Sequence, residues 1–346
     1  MIACGGSRGA PPDAPAPGPD APLVEHTFRV FDQIPQFGIY VSTDPANYTP
    51  PSGVVMWTHG TEFVTKLTPE QRAQIGDQLA ARITYHAQCD NYDRLGGLFF
   101  LVEPVGATPQ PTDPRVELVR FITPFSDYRR GPLATLTYPD ADISAYAHTL
   151  ADPAHDVWIG IAGGSNPYDG DPCHATGQPA DFSAIGFKYS VDLVSKGELG
   201  AGASLTLGAI GGVAATAVPV TGTFTNPGAT VSGHVTVIVS GHGSAAGGDE
   251  YQYTQDTVTV NGQEIGAFST MIDCAPYAAL SPDGNPGIFT HNTTNNPRNW
   301  CPGALVPSHT FAATLPAGAS TVSLGITPSA VPEGSYYSTS ITFGAP

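Results

Sequence analysis

Short apolar runs, broken by Gly, Pro, Asn and Asp clusters, repeat along the chain from Phe28 onward. Val54–Trp57, Leu98–Val102, Val116–Thr123 and Val157–Ile161 each have the length of one strand, and Ile185–Val194 alternates long enough for a longer one. The later runs are Ser204–Leu207, Val218–Phe224, His234–Ser240, Thr257–Val260, Phe311–Leu315, Thr321–Ile326 and Ser338–Phe343. The period is two where it is clearest: Thr257-Val258-Thr259-Val260 sets valines on one face and hydroxyls on the other. Near-regular turn residues between such runs predict an all-β chain of sandwiches or barrels. Only Thr68–Ala81 reads as a helix, with a Thr cap, Pro at the first helical position and Glu in the first turn, although Gly76 weakens it.

Composition sharpens this picture. Of 346 residues, 41% are hydrophobic, enough for a core, but only 12% are charged, against about 25% in an ordinary globular protein. Lysine and arginine total 13 against 30 acids, a formal charge of −17, which argues against neutralising a nucleic-acid backbone. No apolar run is long enough for a membrane-spanning helix. A Gly-rich, almost uncharged stretch after residue 195 marks a change in composition, and beyond Lys196 the only basic residue other than histidine is Arg298. The chain therefore divides into a tether over residues 1–23 and two β-sandwich domains, 24–195 and 196–346.

Five cysteines stand at 4, 89, 173, 274 and 301, none in zinc-ribbon spacing. Cys4 follows small residues and precedes a Pro/Ala-rich stretch, as at the end of a bacterial lipoprotein signal, but the charged and apolar signal regions do not precede it. Lipidation of Cys4 is one expectation and a plain tail the other. The remaining four suit two disulfides in an oxidising compartment, with three pairings open.

Acids in unusual surroundings are the best chemical lead. In Cys89-Asp90-Asn91-Tyr92-Asp93-Arg94, a carboxylate stands between an aromatic and an arginine; it suits a base or nucleophile, or else a structural Asp–Arg pair in a turn. The stretch Gly241–Tyr251 carries Asp249-Glu250 in a Gly-rich loop that lacks the Lys-Ser/Thr and helix of a phosphate cradle. Thr293–Gly303 combines Arg298, Trp300 and Cys301, a wall suited to sugars or anions or a loop pinned by a disulfide. Asp169-Gly170-Asp171 lacks the rest of a calcium loop, the ten histidines show no HxH or HExxH, and no GxSxG elbow is present.

Together these stretches resemble the peptide-N-glycosidase F family. The resemblance is carried by Cys89–Arg94, by Arg120-Phe121-Ile122-Thr123-Pro124-Phe125, by Tyr189-Ser190-Val191-Asp192, by Ser240-Gly241-His242-Gly243 with Glu250-Tyr251-Gln252-Tyr253 and Thr257–Gly262, and by Trp300-Cys301-Pro302-Gly303. It implies two adjacent eight-stranded jelly-roll β-sandwich domains with the site in the groove between them. It implies that Asp93 is the primary catalytic group, Arg94 its neighbour, Glu250 a glutamate acting through water, and Arg298 a family arginine shifted by one position. Tyr92, Tyr251 and Trp300 would stack on sugar, with His242 also on the substrate side, and Cys274 would pair with Cys301.

The departures are specific. Gly160 stands where the family has a third acid and Ala162 where it has an aromatic, and an insertion, Gly163–Phe182, follows with Asp169, Asp171, Cys173 and Asp181. One of its acids would supply the lost charge. Cys89 lacks the family's upstream partner and is expected to bond Cys173; Gly248 and Gln252 stand where the family flanks its glutamate with cysteines. The expected protein is an exported bacterial monomer (periplasmic, outer-membrane lipoprotein or extracellular) that releases N-linked glycans from glycoproteins without cofactor or metal. The alternatives are a non-catalytic carbohydrate- or glycoprotein-binding protein and, against the missing HxH, a copper monooxygenase.

Overall fold

The computed structural model describes residues 24–166, 184–202, 205–215, 219–243, 250–327 and 335–345. Ten strands precede residue 197: β1 (Glu25–Phe37), β2 (Val54–Trp57), β3 (Glu62–Lys66), β4 (Gln78–Ala87), β5 (Leu95–Glu103), β6 (Val116–Ile122), β7 (Thr135–Thr137), β8 (Ala141–Asp142), β9 (Asp156–Ala162) and β10 (Ile185–Lys196). Nine follow: β11 (Leu205–Ala215), β12 (Val220–Asn226), β13 (Val231–His242), β14 (Gln255–Val260), β15 (Gln263–Ser269), β16 (Leu305–Val306), β17 (Ser308–Leu315), β18 (Gly318–Thr327) and β19 (Tyr336–Ala345). The all-β reading is therefore right, and the strands pair antiparallel throughout.

In the first half, a sheet of order β1-β10-β4-β7, with β8 on β4, faces a sheet of order β6-β5-β9-β3-β2. Their shared core is aromatic, with Phe63, Phe100, Phe121, Phe187, Tyr85 and Tyr189 all buried. Sheets β11-β19-β13-β17 and β12-β18-β14-β15 make the second half, around aliphatic side chains such as Val235, Val258, Leu324 and Ile341. Burial of this apolar area, worth roughly 25 cal/mol per Å², is what binds each pair of sheets.

The helix expected over Thr68–Ala81 is corrected. Its start is real: Thr68 Oγ1 accepts from the Gln71 N–H at 3.2 Å and Gln71 Oε1 accepts from the Thr68 N–H at 2.9 Å, a capping box before α1 (Pro69–Arg72). The helix lasts one turn. A Cβ at Gly76 would lie 2.3 Å from the carbonyl oxygen of Gly197, so the chain there runs against the end of β10. From Gln78 the pattern has period two, burying Leu79, Ala81, Ile83, Tyr85 and Ala87, and that is the pattern of β4.

One strand crosses between the halves. β16 adds to β6, pairing Leu305 with Phe121 and Val306 with Arg120. Beside it, Ile122 and Val306 pack with Ile238 and Trp300. Arg120, 1% exposed, lies under this seam; it is bidentate on Glu117 at 2.9 and 2.7 Å and reaches the second half through Ser240 Oγ at 3.0 Å and the Ser338 carbonyl. Among the described residues, no helix is long and apolar enough to cross a membrane.

Candidate functional site

The loop before β5 is tied by a carboxylate that the sequence reading passed over. Asp90 is fully buried; it accepts from Arg94 Nε at 2.7 Å and Nη2 at 3.2 Å, from the Tyr92 N–H at 3.0 Å and from the Asn166 N–H at 2.6 Å. Thr123 Oγ1 accepts from the Arg94 N–H at 2.7 Å and donates to the Tyr92 carbonyl at 3.1 Å. Residues 92 to 94 are thereby fixed on both sides. The arginine of this motif pairs with Asp90, so the structural Asp–Arg pair exists, but it does not consume Asp93.

Asp93 opens into a cavity of about 270 Å³ at the junction of the halves. Tyr92, Asp93, Arg94 and Leu95 line it from the first half, and His242, Glu250, Tyr251 and Trp300 from the second. Asp93 Oδ2 is buried and has no hydrogen-bond partner among the described residues. Burial, and then the charge of Glu250, push the Asp93 carboxyl up to about 7, against the pull of Arg298 and Arg94.

Arg298 backs this cavity. It is wholly buried, donates from Nε to the Glu250 carbonyl at 3.1 Å and from Nη2 to Glu250 Oε1 at 3.2 Å, and lies over the rings of Trp300 at 3.9 Å and Tyr251 at 4.8 Å. Its Nη1 has no partner among the described residues, and burial lowers its pKa. Main-chain bonds to Ile272 anchor residue 298, and the Cys274–Cys301 disulfide closes the segment. Asn299 is a functional support that the sequence reading missed. Its Oδ1 accepts from the Gly241 N–H at 2.8 Å while its Nδ2 donates to the carbonyls of Glu250 and Gln252 at 3.2 and 2.8 Å. Nothing in a lone Asn of a Pro/Asn-rich loop signals that it ties three segments together.

His242 and Trp300 are both packed more closely than a free sugar platform would be. The imidazole stacks on Trp300 at 5.7 Å and on Tyr336 at 5.2 Å, and its Nε2 lies 2.8 Å from Ser240 Oγ. Burial, then the charges of Arg120 and Arg298, push its pKa down to about 3, so it is neutral at ordinary pH. Trp300 is 4% exposed and donates its indole N–H to the Gly241 carbonyl at 2.7 Å. Its ring carries Arg298 and His242, whereas Tyr92 is 48% exposed and keeps ring surface for a ligand.

A second cavity, about 620 Å³, adjoins the first through Leu95, which lines both. Four of its charged residues form two pairs, Arg115 Nη1 on Glu62 Oε2 at 3.0 Å and Arg120 on Glu117, and Asp113 also lines it. Ala162 lies in its floor. Gly160 lies in β9 with no room for a side chain, since a Cβ there would meet the Phe99 ring at 2.2 Å. Asp169, Asp171, Asp181, Cys173 and Cys4 lie outside the described residues. Cys89, buried, is a disulfide cysteine.

Comparison with known proteins adds three findings. Residues 212–342 match the family model described as peptide-N-glycosidase F, C terminal. The structure of PNGF-II matches with a TM-score of 0.68 at 19% identity over 93% of this chain, which spans 65% of the length of that one. Recombinant peptide:N-glycanase F matches with a TM-score of 0.58, and PNGase F, a glycosylasparaginase from Flavobacterium meningosepticum, with 0.57, each at 16% identity over 93% of this chain and 95% and 96% of theirs. At such identities the likeness is one of fold. No curated protein matches the chain.

Proposed function

From a chain that belongs to the peptide-N-glycosidase F family, we propose an amidase that hydrolyses the amide between an asparagine side chain and the first sugar of an N-linked glycan. The observation that supports it most is Asp93: a carboxyl in a cavity, its Oδ2 buried without a partner, next to a second carboxylate and a buried guanidinium. Such an acid, poised near neutral pH, suits general-base work. Asp93 takes a proton from water as the water oxygen attacks the amide carbon. The tetrahedral intermediate collapses with that proton passing to the departing nitrogen, giving an aspartyl peptide and a glycosylamine. Glu250, held by Arg298, orients the water. Arg94, locked by Asp90, fixes the position of Asp93, and the rings of Tyr92 and Tyr251 border the sugar.

We further assign the two sandwiches as domains 24–195 and 196–346, wound as jelly rolls, in an exported bacterial protein; the Cys274–Cys301 bond suits that compartment. A non-catalytic glycan-binding role is the second reading, favoured by Gly160, whose place has no room for an acid. Incubation with a denatured glycoprotein separates them. Wild type releases free glycan and Asp93→Asn does not; glycan binding without release by the wild type would overturn the amidase reading.

A further inference from the structure

A chain of side-chain contacts runs from the larger cavity to the smaller one through the buried seam. Glu117 holds Arg120 at two nitrogens, at 2.9 and 2.7 Å. Arg120 Nη1 donates to Ser240 Oγ at 3.0 Å, and Ser240 Oγ lies 2.8 Å from His242 Nε2. Ser240 is fully buried, Arg120 is 1% exposed, and His242 lines the cavity that holds Asp93.

The direction of each proton follows from which groups are able to donate. A guanidinium only donates, so Ser240 Oγ accepts from Arg120. The serine hydroxyl has one proton of its own, and among the described residues its sole acceptor is His242 Nε2. Were Nε2 protonated, Ser240 would accept twice and its proton would be left without an acceptor in a fully buried place, an arrangement that proteins avoid. The paired arrangement therefore makes Nε2 an acceptor and puts the imidazole proton on Nδ1. Stacking on Trp300 and Tyr336 fixes the plane of the ring. Nδ1 takes no hydrogen bond from the described residues, and the ring lines the cavity that holds Asp93.

We propose that His242 is a neutral Nδ1–H donor to the amide carbonyl oxygen of the substrate, and that Ser240 and Arg120 are positioning residues that set its tautomer. The part concerning substrate rests on the amidase reading. The chemistry needs such a group: water attack turns the carbonyl oxygen into an oxyanion, and a donor placed before the reaction stabilises it without reorganisation. A neutral imidazole serves there, because it donates without being able to give up its role by titrating. The sequence reading puts His242 on the substrate side but gives no state for the ring and no place to Ser240 or Arg120.

The test has two independent readouts. Nitrogen-15 NMR of the imidazole, on the full chain without substrate, is expected to show His242 protonated at Nδ1 and to lose that preference in Ser240→Ala, which keeps the volume of the site. In glycan release, Ser240→Ala is expected to lower kcat roughly 10-fold, as removal of an orienting partner does, with KM little changed, and Ser240→Thr restores the hydroxyl and most of the rate. His242→Ala is expected to lower kcat roughly 10²-fold. A wild-type ring protonated at Nε2, or Ser240→Ala with unchanged kcat, overturns the proposal. Absence of release by the wild type instead overturns the amidase reading and with it the substrate contact, while the NMR result still decides the tautomer.

Discussion

Asp93 and Asp256 are two carboxyls with the same displaced acidity and different surroundings. Both are pushed up to about 7, and in both burial is the largest cause. Asp256 lies in β14, two residues before the inward-facing Val258, 1% exposed, with neither oxygen hydrogen-bonded among the described residues. Thr254 and the Thr327 backbone lie near enough to oppose the shift, but neither makes a properly formed bond. Asp93 has Glu250, Arg298 and Arg94 as charged neighbours and a cavity in front of it. A raised carboxyl pKa is therefore not in itself the mark of a site. What separates the two is the presence of partners that act on the group and of space for a substrate to reach it.

The largest expected effect tests that distinction directly. Asp93→Asn lowers glycan release by at least about 10³-fold, beyond the usual general-base range only where positioning is lost as well, whereas Asp256→Asn leaves the rate within two-fold. Equal losses in rate, measured on one glycopeptide, would erase the contrast.

The second effect is on stability and belongs to Asp256. Its folded pKa lies above the unfolded value, so the native state holds the proton more tightly. Stability is then undiminished below the unfolded pKa of about 3.9 and falls as pH rises through about 7, by an amount of order 4 kcal/mol. Asp256→Asn removes that loss. Urea unfolding at pH 4, 6 and 8 should show a wild-type decline that is roughly halved in the variant, because Asp93, raised alike, contributes a decline of its own.

A smaller effect sharpens the role of Glu250. Its charge helps to raise Asp93, so Glu250→Gln moves the acidic limb of the kcat/KM profile to lower pH, by up to about one pH unit. A limb that stays in place would mean that burial alone sets Asp93. The smallest is Thr254→Val, which removes the hydroxyl pair with Thr270 at 3.0 Å and costs about 1 kcal/mol by denaturant titration with no change in rate.

Much of this molecule was legible from the sequence where the signal was local. Period-two runs such as Thr257–Val260 and Ile185–Val194 locate β14 and β10 because the inward face is fully buried, while the outward face keeps partly exposed positions such as Thr257, Thr259, Lys188 and Asp192. The same reasoning went wrong at Thr68–Ala81, where a genuine capping box begins a single turn and the alternation of Leu79 to Ala87 then prevails. The acids Asp93 and Glu250 and the arginine Arg298 stand out because charge is scarce, and the structure lines one cavity with both acids and sets Arg298 behind it on Glu250. Asp90 was visible beside Asp93, but nothing in the motif says which of the two meets Arg94. The supports of the site were not legible. Arg120 meets Ser240 across 120 positions, and Asn299 meets Glu250 across 49. Such contacts depend on how two sheets pass each other, which no short run of residues encodes.

The two residues of β16 have a mechanical meaning. Because Leu305 and Val306 are rungs of a sheet that otherwise belongs to the first half, the walls of the cleft share backbone hydrogen bonds as well as packing. A jaw-like swing of one half from the other would have to tear those rungs and pull Arg120 from Ser240 and Ser338. The cleft is thus a rigid mould. On the amidase reading, a glycopeptide would have to present its linkage in a shape that already fits, and a folded glycoprotein whose linkage is pressed against its own surface would have to loosen first.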